Sequence, residues 1–249
     1  MKTKGIATLI VGIGCILVMT CSNPASDNQV TRKEKNSGWQ LLFDGKTLNG
    51  WRRINSDNPP IDGWRVENGC LIVEKNVGGE SSSRGDLITI EEYSNFDLTF
   101  DFKLTEGANS GIKYFVIESL SDKNSGYGFG PEYQIIDDWK HPIFMTENIP
   151  VGCKIAGLYE LIEAPDTKKV NPVGEWNHGR IVSKDRYVEH WLNGELMFGY
   201  VLGSDEFKAL VQKSKFRNTK GYGEEAKGHI LIQDHGDKVS YKNIKIREL

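Results

Sequence analysis

From Trp39 onward every apolar run is cut after a few residues by Gly, Asn, Asp or Pro, and within the runs apolar and polar residues alternate with a period of two. That rhythm confines the chain to short strands. The clearest segments are Trp64 to Val66, Cys70 to Glu74, Asp97 to Leu104, Gly111 to Ile117 and Glu132 to Ile136. Further along come Arg180 to Lys184, Tyr187 to Leu192, Glu195 to Tyr200, His229 to Gln233 and Val239 to Ile246. Asn68-Gly69 and Asn193-Gly194 each sit between two apolar runs, the strongest short-range hairpin signal. One segment breaks the pattern: Ser204 is a good N-cap, Asp205 and Glu206 suit a first turn, and Phe207, Leu210 and Val211 share a face, predicting a helix that packs across a sheet edge or end. So many strands with so little helix predict an all-β jelly-roll sandwich of two antiparallel sheets with one short helix, larger than an immunoglobulin-like domain. No internal repeat supports a propeller.

The N-terminus reads differently. Lys2 and Lys4 precede an uncharged stretch from Gly5 to Thr20 that is too short and Gly-interrupted for a membrane span, so residues 1–20 are expected to be a signal peptide. Cys21 follows Val18-Met19-Thr20 and resembles a bacterial lipobox, in which the Cys is lipidated, although Thr20 departs from the usual Gly, Ala or Ser. An ordinary secretory signal cut near Ala25 is the alternative. Residues 22–37 hold Ala25 and Val30 as their only apolar side chains besides Pro24, so 21–37 is expected to be a flexible tether and 38–249 the folded domain. The expected location is the bacterial cell envelope, with membrane contact only through the lipid on Cys21.

With 31 Lys+Arg against 34 Asp+Glu, a net charge of -3, the chain has no basic surplus for phosphates, and no nucleic-acid partner is expected. Of four cysteines only Cys70 and Cys153 fall in the domain, and two residues of unknown separation do not specify a disulfide. Phosphate loop, nucleophile elbow and catalytic-cysteine motif are all missing, and Gly78-Gly79 lacks the third glycine of a dinucleotide fingerprint. No cofactor is expected.

The polar residues placed on strands are the candidate site. In Glu132-Tyr133-Gln134-Ile135-Ile136-Asp137-Asp138, Glu132 and Gln134 share one face, which a ligand can reach only on the open side of a curved sheet. A bulge after Ile135 brings Asp137 to the same side; otherwise Asp137 and Asp138 cap a turn. Paired carboxylates suit acid–base work on a glycoside. Near the C-terminus Gln233, Asp234 and His235 end a strand, with His235 a base or proton relay, or part of an Asp-His-Gly turn. Asp234 and His235 lack the ligand spacing of a zinc or calcium site, so no metal is expected. Asn109 at a strand start, Tyr159 in a long loop, Trp176 and Asn177 opening a strand, and His190 opposite Trp191 complete the candidate substrate-binding set. Six Trp and nine Tyr beside amides and carboxylates fit a carbohydrate ligand, while Trp39, Trp51 and Trp64 are assigned to packing. The irregular stretches 121–131 and 139–173 are long enough to shape a binding site.

Several of these segments, in order, resemble the 3-keto-disaccharide hydrolase family, long described as a domain of unknown function. They are Gly38-Trp39, Leu41-Leu42-Phe43-Asp44-Gly45, Gly50-Trp51-Arg52, Trp64-Arg65-Val66-Glu67-Asn68-Gly69, Asn109-Ser110-Gly111-Ile112, Glu132-Tyr133-Gln134-Ile135, Gly174-Glu175-Trp176-Asn177, Glu189-His190-Trp191-Leu192-Asn193-Gly194 and Gln233-Asp234-His235-Gly236, with the closing Asn243-Ile244-Lys245-Ile246-Arg247. The resemblance implies a concanavalin A-like jelly roll and action on glycosides oxidised at C3, often by secreted or lipid-anchored proteins of glycan-degrading bacteria. A C3 ketone acidifies the C2 proton, so a base removes it, the C1 substituent is eliminated and water adds to the alkene. Glu132 or His235 is the candidate base, and Gln134, Asn109 or Tyr159 the candidate group polarising the ketone. The fold also resembles laminarinase-type glycosidases, whose catalytic strand reads Glu-x-Asp-x-x-Glu; the run Glu132-x-Gln134-x-x-Asp137 departs from it and weakens a double-displacement reading.

The rival reading is a non-catalytic carbohydrate-binding module, because one sandwich serves both. Buried carboxylates with shifted pKa values in a deep pocket favour the enzyme, and a shallow aromatic platform favours binding.

Overall fold

A computed structural model of the chain describes residues 27–58, 62–75, 85–121 and 127–249. The expected signal peptide, Cys21 and the first part of the expected tether lie outside those residues. From Asp27 on, the segment is not a tether. Thr31 caps α1 (Arg32–Asn36) in a reciprocal capping box with Glu34. The buried Asn28 donates from Nδ2 to the Gly69 carbonyl at 2.8 Å and accepts from the Asn243 amide at 2.8 Å. Lys242 pairs with Asp27 at 2.8 Å and Lys245 with Glu34 at 2.9 Å. Polar groups hold this segment, so counting apolar side chains misses it.

Thirteen strands form two antiparallel sheets among the described residues. The larger runs β11-β10-β9-β6-β13-β4-β3, from Glu195–Val201, Tyr187–Leu192, Asn177–Lys184, Phe96–Leu104, Val239–Glu248, Cys70–Val73 and Trp64–Glu67, with β1 (Gln40–Leu41) also on β13. The smaller runs β2-β5-β12-β7-β8, from Trp51–Arg53, Leu87–Tyr93, Gly228–Ile232, Asn109–Val116 and Glu132–Ile136. The result is a jelly-roll sandwich, with β1, β2 and β5 added to the segments read from sequence.

The core lies between the sheets. Alternation along β6 turns Phe96, Leu98, Phe100, Phe102 and Leu104 inward. Phe100 meets Tyr133 of β8 edge-on at 5.3 Å between centroids, which fixes β8 against the larger sheet. Deleting such a buried ring costs about 3–5 kcal/mol. The α2 helix (Asp205–Lys213), capped by Ser204, stacks Phe207 on Tyr200 of the edge strand β11 at 5.5 Å. Cys70 and Cys153 are both free thiols. Trp51 and Trp64 are buried, and the half-buried Trp39 lies under the Arg247 guanidinium, 5.0 Å from its ring centroid.

The strand β7 carries a bulge. Its pairing with β12 shifts register between His229 and Leu231, and Phe115 takes a left-handed φ of 55°. The extra residue lets two consecutive aromatics, Tyr114 and Phe115, both enter the core, where their rings lie 6.4 and 5.8 Å from that of Phe96. Below the bulge, Asn109, Gly111 and Lys113 therefore face away from the core.

Candidate active site

That outward face of the smaller sheet is where the polar candidates converge. Register places Lys113 directly opposite Glu132 and Gly111 opposite Gln134. Gln233 and His235 follow β12 on the other side of β7. Together they floor a pocket of about 330 Å³ whose walls include Tyr127, Phe129, Tyr159, Lys215 and Phe216. The floor needs a glycine at 111, since a Cβ there collides with Glu132 Oε1. The wall comes from the loop after β8, whose residues 156–159 pair along its free edge: the Ala156 amide donates to the Gln134 backbone carbonyl at 2.9 Å, and the Tyr159 amide to the Glu132 backbone carbonyl at 3.1 Å. This covers the sheet edge and delivers Tyr159 beside Glu132.

The electrostatics are those of a buried reaction site. Glu132 is 5% exposed, and burial raises its pKa against the opposing pull of Lys113 and Lys215. Lys113 Nζ lies 3.8 Å from Glu132 Oε2 and 4.0 Å from Asp86 Oδ2, and it donates to the Gly128 carbonyl at 3.1 Å. Fully buried Asp86 is pushed up to about 6 by desolvation, and accepts from the amides of Asp234 and Gly128. Gln233, with its amide turned to suit both neighbours, donates to Glu132 Oε1 and accepts from Lys113 Nζ, each at 3.3 Å. His235 is exposed at the end of β12, and partial desolvation in the pocket together with the charges of Lys113, His141 and Lys215 lowers its pKa to about 4, so its imidazole is neutral at pH 7. Lys215, whose side chain is half exposed and whose Nζ is 3.9 Å from Glu160, donates from Nζ to the Tyr159 hydroxyl at 3.0 Å, and partial desolvation outweighs Glu160 to lower its pKa. That hydroxyl stays protonated, its pKa raised by burial, and its hydrogen is left to donate elsewhere.

Glu132, His235, Asn109, Gln134, Tyr159 and Gln233 thus share one pocket, as their sequence pattern suggests. Gln134 Nε2 donates to Asn109 Oδ1 at 3.3 Å, which leaves one amide hydrogen for a ligand, while its Oε1 is sealed from solvent without a partner. Five other candidates belong elsewhere. Asp137 caps the turn after β8, accepting from the amides of Gly107, Trp139 and Lys140 at 2.8, 3.1 and 3.2 Å, because no bulge follows Ile135. Asp234 holds the next turn through the Gly236 amide at 2.8 Å. His190 is a fully buried core histidine between the Tyr114 hydroxyl at 2.8 Å and the Ala156 carbonyl at 3.0 Å, its pKa lowered to about 3 by desolvation. Trp176 lies outside the pocket beneath Lys103 and Lys242, at 4.8 and 4.6 Å from its ring centroid. Asn177 tethers the loop residue Asn171, whose amide donates to its Oδ1 at 2.8 Å.

The sequence reading missed Lys113, Asp86 and Lys215. A lysine at an inward-or-outward strand position opposite Glu132 is the signal that identifies the first. Among the described residues, no three His, Cys, Asp or Glu side chains are grouped to hold a metal ion.

Comparison with known proteins agrees with this architecture. The sequence profile of the 3-keto-alpha-glucoside-1,2-lyase-like domain matches residues 38–247. The 3-keto-disaccharide hydrolase of Bacteroides thetaiotaomicron is 35% identical over 232 residues, covering 85% of this chain and 79% of that protein. Two crystal structures of proposed glycosyl hydrolases from Parabacteroides distasonis superpose on it. One has a TM-score of 0.78 and 38% identity over 90% of this chain and 99% of that one, the other 0.62 and 28% over 85% and 99%. A match that runs from the first strands to the last, through every strand that floors the pocket, places the protein among glycosidase-type enzymes: the chain belongs to the 3-keto-disaccharide hydrolase family, the 3-keto-alpha-glucoside-1,2-lyase-like domains.

Proposed function

We propose that the protein cleaves glycosides whose sugar carries a ketone at C3, by eliminating the C1 substituent and hydrating the resulting alkene. The observation that carries this reading is the buried Glu132 carboxylate on the pocket floor, flanked by Lys113 and Gln233 and faced by the Lys215–Tyr159 pair. Elimination begins with loss of the C2 proton, which the ketone acidifies. Burial makes Glu132 a stronger base than an ordinary carboxylate, whereas the exposed His235 is made a weaker one than an ordinary imidazole by partial desolvation and the cations around it, so the base is Glu132. Negative charge then develops on the C3 oxygen. Lys113 and Lys215 set positive potential on the pocket, and the free Tyr159 hydrogen is a donor for that oxygen or for the departing one. The electron pair of the C2–H bond becomes the C1–C2 double bond as C1–O breaks, and the aglycone leaves with a proton. Water added across C1–C2 completes a net hydrolysis.

The family's lyase description and the activity named for the Bacteroides thetaiotaomicron relative support this chemistry. The rival carbohydrate-binding module needs a shallow aromatic surface; buried ionisable groups converging in a pocket favour the enzyme. The test is product release from matched pairs of a glucoside and its 3-keto derivative, with and without a chelator. Aglycone released from the keto form alone, and lost in Glu132→Gln by about 10²–10⁴-fold, supports the reading. Binding without turnover of either member points to the module. The reading also places the enzyme at the cell envelope, held by a lipid on Cys21; Cys21→Ser then moves it from the membrane to the soluble fraction, and unchanged membrane association argues against that anchor.

A further inference from the structure

A second depression, a groove of about 660 Å³ running along α2, lies next to the pocket and shares Phe216 with it. The single turn of 3₁₀ helix Lys215–Asn218 divides the two: Lys215 lines the pocket, Arg217 lines the groove and Phe216 lines both. The groove begins on the far side of Phe216 from the pocket, the side toward which a C1 substituent projecting past that ring extends. Phe216 and Tyr222 stack there at 4.1 Å with their planes 10° apart, forming an apolar wall.

The groove is basic, although the chain as a whole carries a net charge of -3. Arg186, Lys208, Arg217 and Lys220 line it, against Glu224 as the acidic residue of the lining. These charges are poorly compensated within the described residues. The Arg186 guanidinium donates to the Glu224 backbone carbonyl, a neutral acceptor, at 2.6 and 3.3 Å. Lys208 stands 3.9 Å from Asp205, whose side chain is 99% exposed, a contact that solvent screens. Arg217 and Lys220 have no carboxylate within ion-pair distance among the described residues. A cluster of like charges in a concavity focuses positive potential on whatever occupies it.

We propose that this groove receives the leaving group of the substrate and selects one that is anionic, carrying a carboxylate or a sulfate. The inference rests on the reading of the pocket given above and names the substrate class that the pocket's chemistry leaves open. A neutral aglycone gains only the apolar wall. An anionic one gains the wall and up to four cations, of which Arg217 and Lys220 have no carboxylate partner among the described residues. Arginine suits either group, since its planar fork engages two oxygens of a carboxylate or a sulfate.

The experiment compares 3-keto-glucosides of 4-carboxyphenol and of its methyl ester, which differ in charge and little in shape, and adds a 3-keto-disaccharide with and without a sulfate on its leaving sugar. The purified protein is expected to prefer the carboxylate over the ester by about 10-fold in kcat/KM at low salt, from two contacts of surface-pair strength, and the preference shrinks in 0.5 M salt. Preference for the sulfated disaccharide but not the carboxylate assigns the groove to sulfate. In Arg217→Ala/Lys220→Ala the carboxylate-to-ester ratio falls to about one. Equal kcat/KM for every pair in the unaltered protein, or a ratio unmoved by the double substitution, overturns the proposal. If no keto-glycoside turns over, the proposed reaction falls. The groove is then judged by calorimetric binding of the same compounds to the two proteins, where a carboxylate-to-ester affinity ratio near one overturns it.

Discussion

Lys113 sits directly across the β7–β8 pairing from Glu132, with its ammonium 3.8 Å from one carboxylate oxygen, and on its other side lies Asp86 at 4.0 Å. One cation therefore serves two buried carboxylates, and only one of them opens on the pocket. Asp86 touches no substrate in this arrangement. It is a positioning residue that holds Lys113 and draws part of its charge away from Glu132.

Replacing Asp86 with Asn should show this in the pH dependence. Lys113 then acts on Glu132 alone, while Lys215 and the neutral His235 and Gln233 face it as before, so the Glu132 pKa falls. The acid limb of the kcat/KM profile moves to lower pH, and the plateau drops because a weaker base removes the proton. Stability carries the complementary sign. Asp86 titrates near 6 in the folded chain and near 3.8 unfolded, so the native state holds the proton more tightly. The unaltered protein accordingly loses stability relative to Asp86→Asn as pH rises from about 4 to 6, by roughly 3 kcal/mol at most, and the difference is flat above that window. Urea unfolding of both proteins at several pH values checks it; a difference independent of pH, with unmoved kinetics, removes Asp86 from the mechanism.

Gly111 is the second support of the base. A methyl group at this position meets Glu132 Oε1 closer than real atoms approach, and its neighbours on β7 and β8 are held in register by the sheet. The carboxylate is the part free to move. Gly111→Ala is expected to reduce kcat by about 10²-fold, the usual cost of misplacing a reacting group by an ångström, with cooperative thermal unfolding preserved. Full activity in a folded variant means that the carboxylate has another productive position.

How far the sequence carries such an argument depends on which force holds each element. Strands whose burial alternates, such as β6 and β9, are legible because burial imposes the period that is read. Leu87–Tyr93 escapes such a reading, although Ile88, Thr89 and Ile90 are β-branched, because it lacks alternation: Leu87, Ile88 and Thr89 are all buried, being covered on both faces. In the site, Glu132 and Gln134 were legible from alternation alone. Asp137 and His190 were not, since a carboxylate that caps a turn and a histidine sealed in the core have the same residue types and spacing as functional ones. Lys113 meets Glu132 only through the β7–β8 register, and Asp86 reaches Lys113 from the segment before β5, so no local pattern encodes either contact.

His235 tests the electrostatic reading by itself. With its pKa near 4, it contributes no titration between pH 5 and 8, so the activity profile has no limb near 6.5 that belongs to it. Its ring, followed by NMR, stays neutral down to about pH 5. His235→Gln keeps a neutral hydrogen-bonding group at the pocket floor and is expected to raise KM several-fold with little change in kcat. A collapse of kcat together with loss of a limb near neutrality returns His235 to the role of base.

The Lys215–Tyr159 pair makes the sharpest claim about a proton. Because the ammonium donates to the phenol oxygen at 3.0 Å, the phenol hydrogen is the one available to the substrate, and Lys215 acts through it. Tyr159→Phe removes that hydrogen and is expected to lower kcat by about 10²–10³-fold, the scale for losing one donor to a developing oxyanion. Lys215→Met removes the group that orients the phenol, and should cost nearly as much. Two residues acting as one unit are not additive, so the double variant should fall little further than either single one. Costs that simply multiply in a double-mutant cycle mean that each residue contacts the substrate independently, and Lys215 then has to be counted as a donor in its own right.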